Sequence, residues 1–437
     1  MVAAMLISPA ASAPGVLLSG NSLRLRFVLP AVAALFLLAS LMTVRTNDVA
    51  RGFDELAHAS YVAQIEEEGA SVRLERLTML DPVTFRFTER SNYLNHPPLY
   101  YRAMAVLGPR LAGHPDALVW HRLINVALVG AAMGLLLAAG LALARTIDES
   151  LIVIIGLFCV PMLAPLSGSV NNDNLGFLAG GLLVFGAQRF LARRRGVDLA
   201  VAGAGVALAG AAKLTALLLC GGFFVAFLAI AWRQSLLSRG HIAIAIGALA
   251  AAAIAPLLLW WQYGSPAPNT PAQVQGVIEA ARQAGWADQP RLGLVAYVGA
   301  FLAMLLESWR PLLDERSLVQ SAMLAIPLAM SLIAGVGTLL AGRAVLVRRT
   351  SVDPASVLVI SAATGIAVTL LIHIAFSYQR HLDTGWMMDA YARYYLPLVV
   401  VLPLAGLILL RALKSEKARR GLAAFLIGGP ILFGVLG

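Results

Sequence analysis

Charged residues are scarce in this sequence. They make up 13% of its 437 residues, whereas 59% are hydrophobic. A water-soluble domain keeps about a quarter of its residues charged. The chain therefore has too little polar surface to cover a soluble globule of its size, and a lipid bilayer is the solvent that suits it. The composition predicts one polytopic membrane domain that uses all of residues 1–437.

Cysteine is scarce as well, with only Cys159 and Cys220 in the chain. Both fall within apolar runs, and their spacing is not that of metal ligands. We expect both to be small residues of the core, with no disulfide between them.

The net charge of +10 comes from basic residues that gather just beyond apolar runs. The positive-inside rule places such clusters in cytoplasmic loops. Binding of nucleic acid is not expected, because no basic stripe is interleaved with aromatic residues. The three clusters are Arg193, Arg194 and Arg195; Arg343, Arg348 and Arg349; and Arg411, Lys414, Lys417, Arg419 and Arg420.

Apolar runs of spanning length predict an all-α bundle of about eleven transmembrane helices, with a cytoplasmic N-terminal tail over 1–23. The first run, 27–44, is longer than the apolar region of a usual signal peptide and is predicted to be an uncleaved span. The other predicted spans lie near 120–144, 151–168, 175–192, 197–212, 214–232, 241–263, 319–341, 355–377, 394–412 and 421–437.

Three polar segments are predicted to lie outside the cytoplasm. The longest, 45–118, is the first outer loop, and we expect it to be largely helical and to lie along the interface. The second outer loop is 264–318, in which 292–306 is apolar enough to be a re-entrant or interfacial helix. The third is 378–393.

The first candidate site is Asp54-Glu55-Leu56-Ala57-His58, directly after the first span. If 54–68 is helical, Asp54 and His58 lie on one face, one turn apart. Adjacent carboxylates at a membrane interface are costly unless they are used or hydrated. Plain interfacial charge is the alternative. The string is not a metalloprotease motif, because it lacks the first histidine.

Two further polar strings lie in predicted outer segments. The first predicts a rigid turn into an interfacial helix, because proline fixes the backbone and tyrosine suits the headgroup level. It is Asn95-His96-Pro97-Pro98-Leu99-Tyr100-Tyr101. A ligand role for His96 is the rival interpretation. Asn171-Asn172-Asp173-Asn174 is either a plain turn with a helix cap or a polar site.

Two cations stand out at the ends of apolar segments. Lys213 lies inside an otherwise apolar stretch, and an ionisable group at that depth indicates function, with an anion as its expected partner. Arg393 precedes Tyr394 and Tyr395 at the outer end of a predicted span, where its guanidinium could bind a phosphate through two hydrogen bonds. Snorkelling to the interface and ordinary interfacial anchoring are the alternatives.

These strings together resemble the GT-C superfamily of membrane glycosyltransferases, in particular its bacterial branches related to the protein O-mannosyltransferases and to lipid A aminoarabinose transferase. The resemblance covers residues 50–400 as short motifs in a fixed order. The motifs are Asp54-Glu55, the Asn-His-Pro-Pro-Leu-Tyr-Tyr string at 95–101, the Asn-Asn-Asp-Asn turn at 171–174, Lys213-Leu214-Thr215, and Arg393-Tyr394-Tyr395-Leu396-Pro397.

The resemblance implies transfer of a sugar from a polyprenyl-phosphate carrier to a glycan, lipid or protein acceptor on the outer, periplasmic side of a bacterial inner membrane. Asp54 would be the general base, with Glu55 beside it. Mg²⁺ or Mn²⁺ between Asp54, Asp173 and the phosphate is a further possibility that no ligand spacing demands. The residues implied to bind substrate are His58, His96, Tyr100, Asn172, Asp173, Lys213, Arg393 and Tyr394.

Larger members of that superfamily append a soluble outer domain after the bundle, and we expect none here, which would leave acceptor choice to the loops. Two rival functions remain open. One is a transporter or flippase of lipid-linked sugars, which would be favoured by inverted repeats that we do not find. The other is a non-catalytic partner in envelope assembly.

Overall fold

A computed structural model of the chain describes residues 22–69, 72–309, 324–347, 352–387 and 389–436. The helices, numbered in chain order, are α1 Ser22–Thr46, α2 Glu55–Glu68, α3 Leu99–Leu107, α4 Ala117–Leu141, α5 Ile147–Phe158, α6 Leu163–Ser167, α7 Asp173–Arg193, α8 Gly196–Ala212, α9 Leu214–Arg233, α10 Arg239–Tyr263, α11 Pro271–Gln283, α12 Leu294–Glu307, α13 Ala325–Val347, α14 Pro354–Thr384, α15 Val401–Ala412 and α16 Glu416–Leu436. Short 3-10 segments lie at Leu74–Arg76 and Ala392–Leu398.

The fold is that of a multi-pass helical membrane protein. Among the described residues, seven helices are long and apolar enough to cross a bilayer, and a bent pair makes up to eight. The seven are Phe27–Thr46, Ala117–Leu141, Asp173–Arg193, Leu214–Arg233, Arg239–Tyr263, Ala325–Val347 and Pro354–Thr384, and the pair is Ala392–Leu398 with Val401–Ala412, bent by 62°.

Among the described residues this count is lower than the predicted eleven or so, and broken or short helices account for part of the difference. The predicted span 151–168 is two helices, α5 and α6, separated at Pro161, whose ring cannot continue a helix. Helix α8 has 17 residues and is about 25 Å long, less than the roughly 30 Å of a hydrocarbon core. Several predicted features lie outside the described residues: the tail up to 21, 310–318 of the second loop, 319–323 of one span, and Arg348 and Arg349.

The predicted first loop is folded rather than purely helical. Strands β1 Thr78–Leu80 and β2 Phe87–Ser91 pair antiparallel and form a small two-stranded sheet in an otherwise helical fold. Polar side chains of α2 bind the strands, because Gln64 and Ser60 accept hydrogen bonds from the backbone amides of Thr78 and Leu80 at 2.8 Å each. These bonds hold α2 against the two-stranded sheet. They therefore also hold the start of α2, where the Asp54–His58 string lies.

Helix α7 is the central span. Its apolar window is 72% buried inside the protein, compared with 11% for the first span. It packs on α8 through small residues, since a Cβ at Gly205 of α8 would lie 2.6 Å from the backbone nitrogen of Leu183. Close backbone approach through small residues is the usual way in which membrane helices pack. The first residue of α7, Asp173, is thereby held inside the bundle.

Candidate functional site

Asp54 stands at the start of α2 with both carboxylate oxygens occupied. Its backbone is left-handed, with a φ of 59°. Arg393 donates a hydrogen bond from Nη2 to Oδ2 at 2.7 Å, and the Tyr93 hydroxyl donates to Oδ1 at 2.9 Å. Burial raises the pKa of Asp54, but the charge of Arg393 and these hydrogen bonds outweigh burial and hold the pKa below its ordinary value.

Asp173 is the second carboxylate of the site. Lys213 Nζ donates to its Oδ1 at 2.9 Å, and Arg393 Nε lies 3.4 Å from its Oδ2. Lys213 can reach it because its own backbone is extended, with a φ of −168°, and separates α8 from α9. The predicted anionic partner of Lys213 is thus Asp173, and the lysine is 7% exposed rather than snorkelled to the surface.

Arg393 joins the two carboxylates. It comes from the 3-10 segment at Ala392–Leu398, and its guanidinium lies 4.9 Å from the ring centroid of Tyr391 and 5.5 Å from that of Tyr394. Lys213 Nζ lies 4.0 Å from the centroid of Tyr394. The aromatic faces help to stabilise two cations that have left water. We call Asp54, Asp173, Lys213 and Arg393 the ionic cluster; its two negative and two positive charges balance.

Two histidines lie beside the ionic cluster. His58 Nδ1 is 2.9 Å from the Tyr101 hydroxyl, and the rings of His58 and His96 are stacked with centroids 6.0 Å apart. Burial lowers the pKa of His96 well below its ordinary value, and the charge of Lys213 lowers it further. Burial and then His96 lower the pKa of His58 in the same direction. Burial thus favours the neutral form of both imidazoles.

Glu55 is held apart from the ionic cluster. Its carboxylate accepts bonds from Arg122 Nε at 2.8 Å and Nη2 at 2.6 Å, and from the Val170 amide at 2.8 Å. Since Glu55 and Arg122 are both buried, this pair ties α2 to α4 and to the approach to α7. The structure thus gives Glu55 a scaffolding contact, although Glu55 also lines the same cavity as Asp54, and its predicted catalytic role stays a prediction.

Tyr100 and Asn172 also make internal contacts. The Tyr100 hydroxyl donates to Asn125 Oδ1 at 2.9 Å, and Asn172 Nδ2 donates to the Ala212 carbonyl at 3.1 Å, one residue before Lys213. Neither side chain lines the two cavities described next. Lys213 and Arg393 do not line either cavity, so the predicted roles of Tyr100 and Asn172 in binding substrate stay predictions.

Two cavities flank the site. One of about 550 Å³ is lined by Asp54 and Tyr93 together with Arg51, Asp81, Thr88 and Arg90. The other, of about 650 Å³, is lined by His96 and by an apolar wall of α10 that includes Ile254, Leu258 and Trp261, with Arg73 and Arg102 among its polar residues. Asp54 and His96 thus approach the same cluster but line different cavities.

A divalent metal does not fit the two aspartates as they are arranged. Arg393 binds both carboxylates and Lys213 binds one, so a cation would have to displace them. Across the described residues, no three His, Cys, Asp or Glu side chains are grouped closely enough to hold a metal ion.

Sequence reasoning missed two functional neighbours. Tyr93 gave no signal, because an isolated tyrosine in a polar loop is ordinary. Arg122 could have been found, since it sits in the predicted span 120–144, where a charge needs a partner.

The fold and site define a multi-pass helical membrane protein with a largely buried ionic cluster between a polar and a partly apolar cavity. Among solved structures, the chain is similar to that of ArnT from Cupriavidus metallidurans bound to undecaprenyl phosphate, with 14% identity and a TM-score of 0.37, over 92% of this chain and 84% of that one. A likeness of this degree carries no functional argument. No family profile and no curated protein sequence matches the chain.

Proposed function

We propose that the protein is a GT-C-like glycosyltransferase that moves a sugar from a polyprenyl-phosphate carrier to an acceptor at the outer face of a bacterial inner membrane. The observation that carries the proposal is the ionic cluster, in which Arg393 bridges Asp54 and Asp173 beside Lys213. A phosphate leaving group needs cations, and an acceptor hydroxyl needs a base. The cluster supplies both in one place.

The larger cavity suits the carrier. Its apolar wall on α10 could accommodate a polyprenyl chain, while Arg73 and Arg102 would favour an anionic headgroup at the same opening. His96 lines this cavity. In our proposal the phosphate sits between His96 and the two cations of the cluster, where the low dielectric strengthens each interaction with developing charge.

The smaller cavity suits the acceptor, because Asp54 lines it. In a single displacement, the acceptor oxygen forms a bond to the anomeric carbon while the bond from that carbon to the phosphate oxygen breaks. Asp54 takes the hydroxyl proton, and the departing phosphate keeps the electron pair, facing Lys213 and Arg393. The anomeric configuration inverts, since one base and no covalent intermediate take part.

The test is release of free polyprenyl phosphate when purified protein is incubated with a labelled polyprenyl-phosphate sugar. We expect turnover in the wild type and a loss of roughly 10²–10⁴-fold in Asp54→Asn, because asparagine keeps the shape but cannot accept the proton. Normal thermal unfolding of the variant is the control for folding. A flippase or assembly protein would release no phosphate in either form, and near-normal turnover in folded Asp54→Asn would remove the assignment of the base.

A further inference from the structure

Asp54 is a weak base in the arrangement observed. Arg393 donates a hydrogen bond to Oδ2 and Tyr93 donates one to Oδ1. An incoming acceptor hydroxyl would share either oxygen with one of these donors, because each carboxylate oxygen has only two lone pairs. A carboxylate bound to a guanidinium is also a weaker base than a free one, because the positive charge favours its ionised form.

Arg393 is the donor that can be withdrawn. It reaches Asp54 from a different part of the fold, its Nε is near Asp173, and its ring contacts hold the guanidinium independently of Asp54. The Asp54 side chain is 40% exposed, so its bond to Arg393 is open to competition. Tyr93 would keep the carboxylate in place after Arg393 leaves.

We infer that Arg393 exchanges partners during the reaction, leaving Asp54 for the phosphate of the carrier, so that donor binding is what frees the base. The inference rests on the proposed function. It makes Arg393 a gate as well as a phosphate ligand. Without donor, Asp54 stays bound; with donor, one of its oxygens opens toward the smaller cavity.

The exchange of partners by Arg393 changes the affinity for the carrier phosphate in a way that a role of Asp54 in holding the donor would not. Asp54 competes with the phosphate for Arg393, so removing the carboxylate charge should tighten binding of the carrier phosphate. Loss of this charge-assisted hydrogen bond, in which Arg393 is buried and Asp54 is 40% exposed, should raise affinity roughly tenfold. If Asp54 instead helped to hold the donor, the same substitution would weaken binding.

The experiment is a double-mutant cycle with a fluorescent polyprenyl monophosphate as the probe and the full-length protein in nanodiscs. Affinity is measured for wild type, Asp54→Asn, Arg393→Gln and the double variant, with Asp54→Glu as the charge-retaining control. We expect Asp54→Asn to bind roughly tenfold tighter, Asp54→Glu to bind like the wild type, and Asp54→Asn to gain nothing in the Arg393→Gln background.

The outcomes separate the exchange from its rivals. Equal tightening with and without Arg393 would mean plain charge repulsion by Asp54 and would overturn the exchange. Unchanged or weaker binding in Asp54→Asn would overturn it as well, while leaving the glycosyltransferase proposal intact if the wild type binds the probe. Failure of the wild type both to bind the probe and to release phosphate would instead remove the proposed function itself.

Discussion

At the scale of single residues, the two cations of the ionic cluster have different geometry. Substituting them should therefore have different effects on binding of the carrier phosphate. Lys213 pairs with Asp173 through a single ammonium group, whereas the planar guanidinium of Arg393 pairs with both Asp54 and Asp173. We expect Lys213→Met and Arg393→Met each to weaken binding of the carrier phosphate, and Arg393→Lys to restore it only partly. Titration of the same polyprenyl monophosphate measures this. Unchanged affinity in both Met variants would leave the cations with a structural role alone.

A separate residue-scale prediction concerns Glu66 at the far end of α2. Its Oε2 accepts a bond from the Leu111 amide at 2.8 Å, and its Oε1 has no hydrogen-bond partner within the described part of the chain. Burial raises the pKa of Glu66 from near 4.5 to about 7, although the Leu111 amide and Arg110 oppose the shift. The folded protein therefore holds this proton more tightly than the unfolded chain does.

The sign of the resulting pH dependence follows by linkage. The contribution of Glu66 to stability is present below its ordinary pKa and is lost as pH rises through the folded pKa of about 7. Glu66→Gln should flatten the fall in thermal unfolding temperature between about pH 5 and 8. The exposed Glu89→Gln is the matched control and should leave the slope unchanged. An undiminished slope in Glu66→Gln would assign the pH dependence to other groups.

Sequence reasoning reached some site residues and not others for a physical reason. Lys213 and Arg393 could be found because an ionisable side chain among apolar neighbours is costly and therefore informative. Their pairing with specific carboxylates could not, since Asp173 and Lys213 are 40 residues apart and Arg393 and Asp54 are 339 apart. Only packing of α7, α8 and the 3-10 segment brings them together. Tyr93 could not be singled out among ten tyrosines.

At the scale of elements, the position of Arg393 depends on contact between α7 and the 3-10 segment Ala392–Leu398. Gly180 of α7 touches this segment, and a Cβ there would overlap the carbonyl of Pro397. Since backbone cannot give way as a flexible side chain can, Gly180→Ala should displace the segment. We expect a loss of stability of about 1–3 kcal/mol and a fall in turnover through misplacement of Arg393.

Gly134→Ala is the matched control for this substitution. Gly134 lies within α4, and a Cβ there would meet nothing within 4 Å. Alanine has the higher helix propensity, so this variant should be neutral or slightly more stable. Thermal unfolding and phosphate release on both variants test the expectation. Wild-type behaviour in Gly180→Ala would show that the segment can shift without cost.

Helices were harder to count from sequence than to locate. Hydropathy identified the seven long apolar helices, because a run of about 20 apolar residues is a strong signal. It could not see that the predicted span 151–168 breaks in two or that α14 continues to Thr384, well beyond the predicted end at 377. Breaks and extensions of helices depend on the position of proline and on tertiary contacts. Hydropathy averaged over a window of sequence does not detect either.

At the scale of the whole molecule, two basic residues of the predicted cytoplasmic clusters lie at the helix ends away from the ionic cluster. Arg411 lies near the end of α15, away from Arg393, and pairs with Glu149 at 2.7 Å and with Asp353 at 3.8 Å. Arg193 ends α7, whose other end carries Asp173. The positive-inside rule then predicts that the ionic cluster faces the outer side. That orientation is required if the site is to use a carrier facing the periplasm.

Cysteine accessibility tests the orientation, and it decides whether the proposed chemistry has access to its substrates. Ser91 in β2 is a suitable labelling position because it is exposed. In a variant with Cys159 and Cys220 replaced by serine, we expect Ser91→Cys in intact cells to react with a membrane-impermeant maleimide. Ala418→Cys, exposed in α16 among the basic residues, should react only after permeabilisation. The reverse pattern would put Asp54 in the cytoplasm and remove the outward-facing mechanism together with the acceptor cavity assigned to it.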